Sequence, residues 1–225
     1  MDALGRFAEL MSAPPHGVVL DEAALCVAAV AQPGLDVAGA LAGLDALAAE
    51  CATPTLDALV ALLFGSGRFA GNAAEYYDPR NSYLDQVLAR GVGIPITLCV
   101  MGMEVGRRVG VPLAGVGMPG HFLLRDQVDQ RVFVDPFHGG RLLDADGCRA
   151  LFVRSMGRHA PWHDDYLAPV TRGAIVERMV ANLRLSFQRT GDRAGLRWVL
   201  RLRVRCPSAT DEDHRELARL LADTN

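Results

Sequence analysis

The stretch Gly93-Ile94-Pro95-Ile96-Thr97-Leu98-Cys99-Val100-Met101-Gly102-Met103-Glu104-Val105-Gly106-Arg107-Arg108-Val109-Gly110 decides the fold. Proline at 95 suits the first position of a helix, where its missing amide hydrogen costs nothing. Gly110 suits a left-handed cap, and Pro112 stands just beyond it. Between these limits Ile96, Leu98, Val100, Met101, Met103, Val105 and Val109 point in nearly all directions. Glu104, Arg107 and Arg108 are left as a narrow wet edge near the end. A helix that is apolar all round is a buried one. Cys99, Gly102 and Gly106 form a stripe of small residues along it, so a sheet or another helix is expected to approach closely.

Strand patterns follow at Leu113 to Val116, His121 to Arg125 and Arg131 to Asp135. If the last two close a hairpin through Asp126-Gln127-Val128-Asp129-Gln130, Arg125 faces Arg131 and His121 faces Asp135. Directly opposed residues have β-carbons roughly 4.5 to 5.5 Å apart, within reach of an imidazole–carboxylate hydrogen bond. A register slip of two residues would spoil that pairing.

Upstream, Ala and Leu recur at helical spacing from Leu20 to about Ala31, from Val37 to Cys51 and from Leu56 to Phe64. A glycine-rich loop from Gly65 to Arg80 carries Phe69, Tyr76 and Tyr77, which a solvated linker would not need, so it is expected to pack on the body. A helix then runs from about Ser82 to Arg90, with Asn81 placed to cap it. Downstream, helices are expected at Ala174–Arg189, Ala194–Cys206 and about Thr210–Ala222. Their spacing is near that of one tetratricopeptide unit, which cannot form a solenoid alone and must dock on something. The division that results is residues 1–168 as one domain with a helical N-terminal section and 169–225 as a helical tail.

Half of the 225 residues are apolar, enough for a sizeable core and too many for a disordered chain. The net charge is -3 and all 23 basic residues are scattered arginines, so the basic patch of a nucleic-acid binder is missing. The N-terminus lacks an apolar signal core and no stretch reaches membrane-spanning length, so no membrane partner and a cytoplasmic location are expected. The five cysteines are dispersed and odd in number, which argues against a disulfide framework and a structural zinc site.

A helix that starts against a sheet, with His and Asp on neighbouring strands, is the arrangement of cysteine acyl-transfer enzymes. In them the helix start favours a thiolate, the His takes its proton and the Asp fixes the ring tautomer. His121 and Asp135 supply two of those parts. Cys99 is the candidate thiol, yet it lies in the second turn, where the dipole effect has largely decayed. A core role for it outweighs a reactive one. Thr97 is nearer the helix start but would need a strong base. Asn81 reads better as a cap than as a ligand, and His138 stands to line the same cleft. The segment His159-Ala160-Pro161-Trp162-His163-Asp164-Asp165 matches no common metal spacing, and neither a metal nor another cofactor is expected.

The runs Tyr77-Asp78-Pro79-Arg80-Asn81-Ser82-Tyr83-Leu84, Gly93-Ile94-Pro95-Ile96-Thr97-Leu98, Pro119-Gly120-His121-Phe122-Leu123 and Asp135-Pro136-Phe137-His138-Gly139-Gly140 closely resemble the SirB1 family. That family has a transglutaminase-like core followed by tetratricopeptide-type helices. The resemblance implies an α+β, papain-like fold: a helical N-terminal section, a buried central helix on a small antiparallel sheet and a short helical tail. It places His121 and Asp135 at the catalytic His and Asp positions. The nucleophile position falls at or beside Pro95, where no cysteine stands. The leading expectation is therefore a regulatory protein that has lost thiol catalysis and binds a protein or peptide. The alternatives are an acyltransferase or hydrolase using Cys99 with His121 and Asp135, and a structural adaptor acting through its C-terminal helices.

Overall fold

The computed structural model describes residues 2–222; Met1 and the last three residues of the tail lie outside the described residues. Three helices open the chain: α1 (Ala3–Met11), α2 (Leu20–Ala31) and α3 (Val37–Ala49). A short α4 (Leu56–Val60) widens into a π-type turn at Ala61–Gly65. The loop strand β1 (Ala70–Gly71), the 3-10 turn Pro79–Ser82, α5 (Leu84–Arg90) and β2 (Val92–Gly93) lead into the central helix α6 (Pro95–Val109). Strands β3 (Leu113–Val116), β4 (Leu123–Asp126), β5 (Phe133–Asp135) and β6 (Arg141–Leu143) form an antiparallel sheet in chain order. Helices α7 (Ala145–Met156), α8 (Arg172–Thr190), α9 (Arg193–Arg203) and α10 (Asp211–Ala222) complete the chain.

Helix α6 has the limits its ends announce. Pro95 is its first residue, and Gly110 closes it at φ +83° with its N–H on the Gly106 carbonyl. Every residue from Pro95 to Gly106 is buried. Helices α2, α3, α5 and α8 contact it along with strands β3 and β4. The small-residue stripe does what its pattern implies. A β-carbon on Gly102 would meet Leu124 Cδ1 of β4 at 2.9 Å, and one on Gly106 would meet the Val111 carbonyl oxygen at 2.7 Å.

The sheet separates two apolar layers, as the period of two in its strands requires. Leu124 and Val134 turn toward α6 and join the main core. Their neighbours Leu123 and Phe133 turn the other way, onto Cys148, Leu151 and Phe152 of α7. In the tail, Ile175, Val176, Met179 and Val180 of α8 enter the same core as α6, and α9 packs on α8, α1 and α2.

The polar edge of α6 differs from its expected form. Glu104 is 2% exposed and no wet residue at all. It accepts from Arg107 at 2.8 Å and from Arg108 at 3.2 Å, and both arginines also reach the buried Asp21 of α2. Arg108 continues to Asp45 of α3. Burial, then the nearby Asp21 charge, raises the Glu104 pKa above its ordinary value. A carboxylate can be buried here because two guanidinium groups meet it.

Two glycine substitutions separate close approach from helix propensity. Gly106→Ala should lose about 1 kcal/mol or more in urea unfolding, because the backbone oxygen it meets cannot yield as a side chain can. Gly43→Ala in α3, where an added β-carbon meets nothing within 4 Å, should instead gain roughly 0.5–1 kcal/mol.

Candidate functional site

His121 lies before its strand, not in it. The chain turns at Met118–His121, with the His121 N–H on the Met118 carbonyl and Gly120 at φ +74°. Arg178 of α8 clamps this turn by donating to the carbonyls of Met118 at 3.0 Å and His121 at 2.9 Å. Its guanidinium also lies over the Phe122 ring. Nothing local in the sequence marks Arg178 for this role, since it stands 57 residues downstream of His121. The helical periodicity that buries α8 is the nearest signal.

The expected hairpin register is two residues out. Arg125 pairs with Phe133 rather than Arg131. Asp126 takes up the difference: its carboxylate accepts from the Val128 and Asp129 amides, drawing Arg131 and Val132 into the turn. Continuing the register places Leu123, and not His121, across from Asp135. The pair meets all the same, with His121 Nε2 2.9 Å from Asp135 Oδ1. The bend at Gly120 and the Arg178 clamp present the ring from outside the ladder.

Asp135 serves a second imidazole. His138, at the end of the 3-10 turn Pro136–His138, places Nδ1 2.6 Å from Asp135 Oδ2. Burial alone would raise the Asp135 pKa, but the contacts from His121 and then His138 outweigh it, and the net direction is down. The carboxylate is therefore ionised at neutral pH and can only accept, so both facing ring nitrogens carry hydrogen. His121 and Asp135 are 7% and 2% exposed, whereas the His138 side chain is 53% exposed.

The remaining candidates are not drawn into this cluster. Cys99 is fully buried, and its Sγ donates to the Phe122 carbonyl at 3.6 Å, not to an imidazole. Burial, reinforced by the Asp135 charge, holds its thiol well above the ordinary value. The Thr97 hydroxyl is buried and makes no hydrogen bond. Asn81 is not a helix cap: Tyr83 holds the N-cap position of α5, and no side chain caps it. Its amide instead donates to the Glu75 and Tyr76 carbonyls and accepts from Asn72, while its own carbonyl takes the Ile94 N–H. Asn81 thus ties the tyrosine loop to the start of α6.

That loop completes a row of rings. Tyr77 lies edge-on to Tyr76 at 5.3 Å, Tyr76 to Phe137 at 6.0 Å, and Phe137 to His121 at 6.0 Å. Phe137 fits because Gly71 of β1 lies against it, where a β-carbon would come within 2.4 Å of the ring. Arg189 of α8 stacks on Tyr77 at 4.3 Å. Tyr76 and Tyr77 remain 38% and 37% exposed, so the row is a ledge open to solvent at its tyrosine end and buried at His121. Hollows of about 350 Å³ beside Arg125 and Arg172 and about 610 Å³ between α1, α2 and α9 are lined by none of these residues. No helix among the described residues is long and apolar enough to cross a membrane.

Residues 32–181 match the family model described as the transglutaminase-like superfamily. A UPF0162 protein of Xylella fastidiosa (strain Temecula1) is 46% identical over 134 residues, 57% of this chain and 47% of the relative. A UPF0162 protein of Pseudomonas aeruginosa is 34% identical over 192 residues, 81% of this chain and 69% of the relative. F-box only protein 21 of Mus musculus is 34% identical over 152 residues, 63% of this chain and 23% of the relative. The chain spans about half the length of the Xylella relatives it matches. No solved structure matches it.

Two measurements follow from the site's chemistry. Asp135 has a folded pKa below its ordinary 3.8, so its stabilising contribution is complete above that value and is lost as pH falls through the lower folded one. The urea midpoint of the unmodified chain should exceed that of Asp135→Asn at pH 7, and the gap should close below pH 3.8. A maleimide at neutral pH should modify the partly exposed Cys51 and spare Cys99 until denaturant is added, read by peptide mass analysis.

Proposed function

This chain belongs to the transglutaminase-like superfamily and groups with the UPF0162 proteins, and from that premise we propose that it works without a catalytic thiol and holds a peptide segment of a partner protein in a regulatory role. The carrying observation is the aromatic ledge from Tyr77 through Tyr76 and Phe137 to His121. Rigid aromatic rings with a polar tip, backed by arginine, are the side chains from which peptide-recognition hot spots are built. Asn81 fixes the loop that carries the tyrosines, so little order has to be gained on binding.

The thiol route lacks its first requirement. A nucleophilic cysteine needs thiolate character and access. Cys99 has neither, and Pro95 fills the first turn of α6, where the SirB1 resemblance puts the nucleophile. The His121–Asp135 pair then acts as a fixed polar wall whose ring orientation is set by Asp135.

A displayed peptide library selected on the intact chain tests this. A selected peptide should lose about tenfold or more in affinity, or about 1.4 kcal/mol, on Tyr76→Ala, and should be indifferent to Cys99→Ala. Ammonia release from a glutamine peptide that Cys99→Ala abolishes would establish the acyltransferase instead. Peptides that ignore the ledge variant and need α9 or α10 would favour the adaptor.

A further inference from the structure

We infer that His121, Asp135 and His138 form a site for a divalent transition-metal ion, with zinc as the ion whose chemistry fits best. One ligating atom from each side chain lies within 4.8 Å of the others, and this is the one such group of three or more His, Cys, Asp or Glu among the described residues. The His159–Asp165 segment, with two histidines and two aspartates, makes none.

The donor set is the argument. Two imidazole nitrogens approach one carboxylate from two sides, each on its own oxygen, at 2.9 and 2.6 Å. Around a tetrahedral zinc ion with bonds of about 2.0–2.1 Å, ligand atoms stand about 3.3 Å apart. An ion that replaces the two facing ring hydrogens therefore opens those two contacts by under about 1 Å and draws in any ligand pair standing at the 4.8 Å limit by about 1.5 Å. Half of the site is rigid. The Asp135 carbonyl is held by the Gly140 N–H, and His121 is fixed by the Arg178 clamp. His138, more than half exposed, is the ligand free to adjust. Its ring already lies 5.5 Å from that of His121, tilted by 30°.

The exchange balances simply. Each facing nitrogen must give up its hydrogen to become a ligand. A neutral imidazole moves that hydrogen to its other ring nitrogen, and a charged one releases it to solvent, so uptake weakens in acid. Three protein ligands and an exposed side leave one position open, the pattern of a reactive metal site and not of a closed structural one. Asp135 already fixes the orientation of both rings, as a carboxylate partner does for metal-ligating histidines. The inference stands apart from the peptide reading, since it needs no bound segment.

The test is a titration of the metal-stripped full chain with zinc chloride by calorimetry, with no peptide present. One zinc per chain should bind, and cobalt in its place should give the visible absorption of a four- or five-coordinate ion. His138→Ala should weaken zinc by at least about tenfold while lowering the thermal midpoint by less than Asp135→Asn does, since it frees one Asp135 oxygen only, and His159→Ala with His163→Ala should leave the isotherm unchanged. The variant stays folded because His138 packs no core and His121 still meets the other Asp135 oxygen. Zinc binding no tighter than millimolar, or an isotherm indifferent to His138→Ala, would overturn the assignment.

Discussion

A helix that has no solvent face must be covered on every side, and helix 95–109 imposes that demand on the whole chain. Twelve consecutive residues, Pro95 to Gly106, are out of contact with water. One flank takes a sheet, which comes near because Gly102 and Gly106 leave no side chain in its way. The other flank takes helices from both ends of the sequence, α2 and α3 from before it and α8 from after it. The order of the elements follows from this. Burying the apolar area of such a helix is worth several kcal/mol only if the covering layers are present together, so the helical sections and the sheet stabilise one structure.

The same demand explains the polar groups left inside. Glu104 on this helix and Asp21 on α2 are both buried and would be prohibitive alone, because an unpaired buried carboxylate costs far more than any hydrogen bond returns. Arg107 and Arg108 resolve both at once and tie α2, α3 and α6 together. Asp135 meets the same problem with imidazoles. Two histidines, one buried and one exposed, satisfy its two oxygens where an arginine could have done so. That choice has a consequence arginine would not have: the partners can release a proton or a hydrogen-bond hydrogen and accept a metal ion in its place.

Helix limits were legible in the sequence because they are written in backbone chemistry, Pro95 at one end and Gly110 at the other. The His121–Asp135 pair was legible for a less secure reason. Counting across a hairpin presumed that the turn begins after Arg125, whereas Asp126 captures two amides of the loop and moves the register by two. The pair survived since His121 is set by a glycine bend and by Arg178, not by the ladder. Asn81 was misread as a cap because a cap needs only its neighbours in sequence, while its actual partners are Asn72, Glu75 and Tyr76. Glu104 was misread as wet because its helix pattern showed the edge and not the α2 carboxylate packed against it. Short-range signals carried the elements; the register error came from a local turn that Asp126 rebuilds, and the Glu104 error from a partner set by the tertiary fold.

The C-terminal helices belong to this argument and not beside it. Ile175, Val176, Met179 and Val180 share the core of α6, while the polar residues of the same helix, Arg178 and Arg189, hold the turn before His121 and the ring of Tyr77. One amphipathic helix therefore closes the core with one face and positions both ends of the ledge with the other. Arg178 shows what that costs: burial lowers its pKa, and two backbone carbonyls take the hydrogen bonds its guanidinium loses to water. A half-buried arginine spent on two backbone oxygens has no value to core packing that a leucine could not match. Its place is explained if the position of the His121 ring matters, which is the requirement shared by a peptide wall and a metal ligand.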